Sequence, residues 1–256
     1  MKIRLLKKFY VAASSKWLAL GLMVYAVLLI FIATLAQREI GVAAAQAKYF
    51  ESVFCLGDFF GVKIPLLAGA GLGFLAVINL IASGWRYVSG GLRGFGESIT
   101  HMALVLLIVS GGLQYFMRTE GSIVLREGAT INTVIVGAKN GSLGFPITLP
   151  FEITLKSFNA EMYESSSTPR SFTSVVEFLR GGKIHKAEIS MNSPASFGGW
   201  TFYQMSYADN GKASVLGAVR NPARLLPWLA VGATFFGMLI IFIPRVISNG
   251  RRKDYE

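Results

Sequence analysis

The chain has 256 residues, 53% of them hydrophobic and only 15% charged, with a mean hydropathy of +0.51. Soluble domains carry about a quarter charged residues, so this composition argues against an ordinary soluble enzyme and for a membrane protein. The formal net charge of +11 would suggest nucleic acid in a soluble protein, but here the cations gather beside apolar runs, where Lys and Arg set orientation, and no nucleic-acid partner is expected.

In chain order, the basic start Lys2, Arg4, Lys7 and Lys8 precedes a first apolar run, Trp17–Ala36, with no charge inside it. A run of about 20 apolar residues suffices for a helix to cross the hydrocarbon core. A cleaved signal peptide would have a shorter apolar stretch and an earlier small-residue site than Ala43–Ala47, so a retained helix is expected. The second run is Pro65–Ser83, with Asn79 its only strongly polar residue; the third is Ile99–Met117, with His101 and Gln114. The fourth, Leu225–Ile243, is closed by Pro244 and Arg245. Between the first two runs lies the single cysteine, Cys55. It cannot form an intramolecular disulfide and is expected to pack as a small hydrophobe; a thiol ligand or redox partner is the alternative.

Residues 118–224 differ in character. Ile147–Lys156, Ser171–Leu179, Lys183–Met191 and Gly199–Tyr207 read as strands. Trp200 and Phe202 alternate with Thr201, Tyr203 and Met205, Gly181-Gly182 signals a hairpin, and Glu164–Pro169 reads as a loop tip. Short strands without a convincing helix predict an antiparallel sandwich or barrel-like unit. Its core is expected to include Trp200, Phe202 and several of Phe151, Ile153, Phe172 and Phe178. The predicted fold is therefore a membrane protein with an α-helical bundle of four transmembrane helices plus an extracytoplasmic antiparallel β domain, α+β overall. Its domains are 1–117 with spans 17–36, 65–83 and 99–117; the β-rich 118–224; and 225–256 with span 225–243 and a basic tail.

Charge sets the expected orientation. With the N-terminus inside, Lys2, Arg4, Lys7, Lys8 and Lys16, then Arg86 and Arg93, then Arg245, Arg251, Arg252 and Lys253 face the cytoplasm, as the positive-inside rule requires. Both termini are then cytoplasmic and 118–224 external. Trp17, Trp85 and Tyr87 fall at the inner boundary, and Tyr115 and Trp228 at the outer one.

No nucleotide-binding glycine loop, metal-spaced Cys/His cluster or Ser/His/Asp set is present. His185, flanked by Lys183 and Lys186, reads as a solvated strand residue. His101 is more informative, since ionisable groups in spanning helices mark ligand or ion sites. Helical spacing aligns it with Val105, Ile108 and Gly112, a wall suited to a flat apolar cofactor ligated by imidazole. The alternative is an interfacial histidine reaching the headgroups. Ala68, Gly69, Ala70, Gly71 and Gly73 permit close helix approach, with Gly111 and Gly112 on the third run as the expected facing surface.

Several segments together resemble a known family. They are Ala33-Thr34-Leu35-Ala36-Gln37, then Ala45-Gln46-Ala47-Lys48-Tyr49-Phe50, a His early in the third run followed by Arg118-Thr119-Glu120-Gly121, and Asn192-Ser193-Pro194 with Gly199–Tyr207. Asn221-Pro222 before the last run is similar to the family's Asp-Pro. In this set the chain resembles ResB (also called CcsB) proteins, membrane subunits of a cytochrome c maturation system, although its external domain is short for that family. The resemblance implies a cytochrome c biogenesis subunit that is not independently catalytic. With a CcsA/ResC-type partner it would carry haem across the bacterial inner membrane for attachment to apocytochrome c. It also implies that His101 is one axial haem ligand, the second coming from the partner. Arg86 and Arg93 in the adjoining loop are expected to pair with the propionates, since Arg suits planar carboxylates. A structural or docking subunit that presents the β domain without haem is the competing reading.

Overall fold

A computed structural model of the chain describes residues 2–59, 62–137, 144–162, 169–209 and 212–253. They form two units, residues 1–112 with 225–256, and residues 113–224.

In the first unit, α1 (Lys2–Ala13) leads to α2 (Lys16–Ile40), α3 (Val42–Gln46) and a π-helical turn over Ala47–Glu51. An antiparallel hairpin of β1 (Phe54–Phe59) and β2 (Val62–Leu67) follows, then α4 (Gly69–Tyr87), α5 (Gly91–Met117) and α6 (Leu226–Lys253). Among the described residues, three helical stretches are long and apolar enough to cross a membrane: Lys16–Ile40, Gly91–Met117 and Leu226–Ile243. The second expected span shifts. Pro65 pairs with Leu56 in the hairpin, and the helix begins only at Gly69 after an extended Ala68. An apolar run shows neither strand nor helix by composition alone. The third expected span lengthens: α5 starts at Gly91 rather than Ile99, and the glycines of its first turns allow close approach to neighbouring backbone. A Cβ on Gly94 would strike the Tyr87 carbonyl. Pro244 does not end α6, which continues to Lys253; proline removes one helical hydrogen bond but leaves its neighbours able to continue.

Small side chains let this unit pack. Leu29, Ala33, Ala45, Tyr49, Cys55, Ala68 and Leu72 form a buried cluster, and the Tyr25 hydroxyl donates to the Leu67 carbonyl at 2.8 Å. A Cβ on Gly69 would lie 2.8 Å from the Phe50 Cα, and one on Gly71 2.7 Å from the Val53 carbonyl oxygen. The glycine-rich start of α4 therefore serves the π-turn and hairpin. It does not face Gly111 and Gly112, contrary to expectation: a Cβ at either would meet nothing within 4 Å. The close crossing lies instead between α5 and α6, where a Cβ on Gly237 would come within 2.9 Å of the Gly96 carbonyl oxygen.

The second unit is one eight-stranded antiparallel sheet. Its strands are β3 (Thr119–Arg126), β4 (Thr130–Val136), β5 (Phe145–Met162), β6 (Pro169–Arg180), β7 (Lys183–Ser190), β8 (Ala195–Phe197), β9 (Trp200–Ala208) and β10 (Ala213–Arg220). They are ordered β7-β6-β5-β4-β3-β10-β9-β8. The two edges meet: Ser190 bridges Ser193, and His185 of β7 stacks on Phe197 of β8 with centroids 5.7 Å apart. The sheet is thus rolled into a barrel-like unit around Leu125, Phe151, Ile153, Phe178, Trp200, Phe202 and Leu216. Alternation along β9 buries Trp200 and Phe202 and exposes Tyr203 and Met205, as read from the sequence. Phe151, Ile153, Phe172 and Phe178 are buried as well. Gly181 and Gly182, with φ of +57° and +77°, make the β6–β7 turn, the left-handed pair a tight hairpin needs. The expected loop at Glu164–Pro169 lies outside the described residues, save Pro169, which opens β6.

Inside the barrel, Ser174 and Ser214 are fully buried with Gln204. The Ser174 hydroxyl donates to the Gln204 Oε1 at 2.7 Å, and the Gln204 amide donates to the Ser206 carbonyl at 2.8 Å. Buried polar groups satisfied in this way add little net stability but disfavour other registers, which would leave them unpaired.

Candidate functional site

His101 sits on α5. Because that helix begins at Gly91, the residue lies about 15 Å from its start, not in its first turn as expected. The ring Nδ1 is 2.7 Å from the Glu97 carbonyl oxygen. A carbonyl only accepts, so Nδ1–H donates and, in the neutral ring, Nε2 keeps the lone pair. This is how metal-ligating histidines are commonly held: one nitrogen donates to the protein and the other is left for the metal.

The α4–α5 pairing shapes the surroundings. A Cβ on Gly84 would lie 3.2 Å from the His101 Cβ, so glycine at that position lets the helices close on each other at the histidine. The Tyr87 ring lies 5.5 Å from the imidazole, tilted by 41°. One turn further along α5, Val105 is buried, and Ile108 is 38% exposed. Arg93 pairs with Glu97 at 3.0 Å, and Arg86 is exposed just before Tyr87. Both arginines stand near the His101 end of the α4–α5 hairpin. By sequence alone Tyr87 reads as an interfacial aromatic, and nothing in the chain singles out Gly84. Their only signal was that α4 and α5 are consecutive helices joined by a short link.

The other singled-out residues do not join this site. His185 is exposed on β7. Cys55 is buried in β1, and burial pushes its thiol pKa up, with nearby Lys48 opposing the effect. That matches the packing reading. Gln114 accepts a 2.8 Å hydrogen bond from the Asn221 amide, whose Oδ1 also accepts from the Ala223 N–H. The Asn-Pro pair is thus tied to the end of α5. A separate apolar cavity of about 500 Å³ lies between α2, α4 and α5, lined by Leu22, Leu29, Leu72 and Ile108 among others; His101 is not among its lining residues. Among the described residues, no three His, Cys, Asp or Glu gather as a metal cluster.

Apolar helices long enough to span, joined in sequence to a barrel-like antiparallel β unit, define a multipass membrane protein. The ResB-like family profile matches residues 88–232, and the chain belongs to that family. It is 33% identical to Protein NrfI of Wolinella succinogenes over 95 residues, 36% of this chain and 10% of that protein. It is 26% identical to the chloroplastic cytochrome c biogenesis protein CCS1 of Arabidopsis thaliana over 125 residues, 48% of this chain and 23% of that protein. The alignments therefore span less than a quarter of either relative's length. Among solved structures, a cytochrome c haem lyase CcmF aligns with a TM-score of 0.38 at 14% identity, over 67% of this chain and 29% of that one.

Proposed function

We propose that this chain serves cytochrome c biogenesis as a non-catalytic subunit. Together with a CcsA/ResC-type partner it takes part in moving haem across the bacterial inner membrane for attachment to apocytochrome c. Family membership and the similarity to the cytochrome c biogenesis protein CCS1 support the pathway. The observation that carries the haem role is the His101 ring, whose Nδ1–H is committed to the Glu97 carbonyl.

In this reading α4 is the fourth span, both termini are cytoplasmic, and residues 118–224 are external, as the distribution of Lys and Arg supports. His101 Nε2 would hold the haem iron from this chain, and the partner would supply a further ligand. Glu97 and the close approach at Gly84 fix the ring's tautomer and place. Arg86 and Arg93 would hold the propionates, Arg93 by exchanging Glu97 for a stronger carboxylate pairing. When bound, haem supplies the iron for axial ligation and the vinyl groups that attachment to cysteine thiols consumes.

The test is the absorption spectrum of the complex purified with its partner. His101→Ala should lose most of the Soret absorbance and stop cytochrome c maturation while the protein stays inserted. Free imidazole should restore part of the band by occupying the vacated position. An unchanged Soret band and spectrum in His101→Ala would remove the ligand role and favour a docking subunit.

A further inference from the structure

Asn79 is the polar residue that the proposed function leaves unexplained. In an apolar helix it is costly unless satisfied, and it is only 4% exposed. Its amide donates to the Ala13 carbonyl at 2.6 Å and to the Ser15 carbonyl at 3.1 Å. It thereby satisfies the Ala13 carbonyl at the C-terminus of α1, where the helix itself provides no donors, and adds a donor to the Ser15 carbonyl, which also accepts from the Ala19 N–H at the start of α2. Ser15 is extended, with ψ of 130°, and breaks the helix between α1 and α2. Ala13 and Ser14 are buried there. The end of α1 is thus fastened to α4 beside the start of a helix apolar enough to span.

From Arg4 to Phe9, α1 is exposed among the described residues. Leu5, Leu6 and Phe9 are 59%, 68% and 65% exposed. At 100° per residue from Arg4 on, they fall with Tyr10, Ala12 and Ala13 on one half of the helix, while Arg4, Lys7 and Lys8 fall on the other, interrupted by Val11; Lys2, at the first helical position, falls on the apolar half. Twelve residues reach about 18 Å, too short to cross a bilayer. Just beyond the break, Lys16 stands over the ring of Trp17, which is 71% exposed, an arrangement typical of the headgroup level. A short helix with a cationic face, an apolar face and a mooring at the foot of a spanning helix has the character of an interfacial helix.

We infer that α1 is an interfacial helix that binds the anionic lipid surface of the leaflet beside Lys16, its Leu5/Leu6/Phe9 face among acyl chains and Arg4, Lys7 and Lys8 on phosphate headgroups. The inference does not depend on haem. Each cation near an anionic surface contributes roughly fivefold to attachment, so removing two should lower the attached-to-detached ratio roughly twenty-fivefold.

The full chain, with Cys55→Ala as background, can carry a spin label at Phe9→Cys or at Lys7→Cys in nanodiscs. The discs contain phosphatidylcholine alone or phosphatidylcholine with phosphatidylglycerol, and accessibility to oxygen and to an aqueous nickel chelate is measured. In phosphatidylglycerol discs the Phe9 site should favour oxygen and the Lys7 site nickel. The Phe9 contrast should weaken in phosphatidylcholine discs and in R4Q/K8Q. Equal nickel access at both sites in anionic discs overturns the inference. Protection of the Phe9 site from both reagents overturns it in favour of a protein occupant, and protection indifferent to lipid charge and to R4Q/K8Q overturns the anionic-surface assignment.

Discussion

Replacing Phe202 with alanine tests whether the β unit is held by its rolled sheet. Phe202 has no exposed surface, and its ring lies 5.4 Å from Phe178 and 6.1 Å from Phe151. An aromatic side chain of this kind buries about 200 Å², which at about 25 cal/mol per Å² sets an upper bound near 5 kcal/mol. Truncations of buried Phe to Ala cost about 3–5 kcal/mol. For a domain of this size, 1 kcal/mol shifts the melting temperature by about 4 °C, so Phe202→Ala should lower it by roughly 12–20 °C. Met205 is the control: it sits on the opposite face of the same strand and is 52% exposed. Met205→Thr keeps a good strand former and should stay within about 0.5 kcal/mol. Heat-step proteolysis of the full chain in detergent, reading cleavage within residues 118–224, measures both. Equal shifts for the two variants, or a shift under about 3 °C for Phe202→Ala, would refute the alternation argument and the assignment of the core.

Other variants probe the helical unit. Gly237→Ala should destabilise it clearly, because the new Cβ meets the Gly96 carbonyl oxygen at 2.9 Å and the Thr100 nitrogen at 3.0 Å, whereas Gly111→Ala has open space. Thermal size-exclusion profiles should separate the two variants, and matching profiles would contradict the α5–α6 crossing. Cys55 should resist maleimide in the folded protein and react once it is denatured. Its raised pKa leaves less thiolate at neutral pH, so native alkylation should gain speed only at more alkaline pH than for a free thiol; fast labelling at pH 7 would contradict its burial. A reporter inserted at Gly182 should be active as a periplasmic phosphatase and silent as a cytoplasmic one, and the reverse pattern would overturn the orientation.

Much of the candidate site was legible because an imidazole in an apolar run stands out chemically. Its setting was not. His101 was placed in a first turn because polar residues and glycines before Ile99 read as loop, yet that stretch is helical in α5. The structure places Gly84 and Tyr87 beside it, and no spacing along the chain encodes which turn of α4 meets which turn of α5. In the β unit, β5, β6, β7 and β9 are legible from β-rich runs bounded by turn residues, β9 alone by clear alternation, whereas β3, β4, β8 and β10 are not. β10 was missed because its small residues, Ala213, Ser214, Gly217 and Ala218, are buried on both faces and show no period. The basic start was read as charge alone, although its arrangement makes it a two-faced helix.

Composition and hydropathy, by themselves, determined a multipass membrane protein with an antiparallel β unit, together with the aromatic part of that unit's core. Both follow from local periodicity and from the length a bilayer demands. Tertiary structure alone decided that Pro65 belongs to a hairpin, that the glycines of α4 serve the π-turn, that Asn79 moors α1, and that the Glu97 carbonyl sets the His101 tautomer. Each depends on which atoms meet across segments distant in sequence or on the packing of adjacent helices. Hydrogen bonds and close backbone contacts of that kind are created by packing and leave no period in the chain.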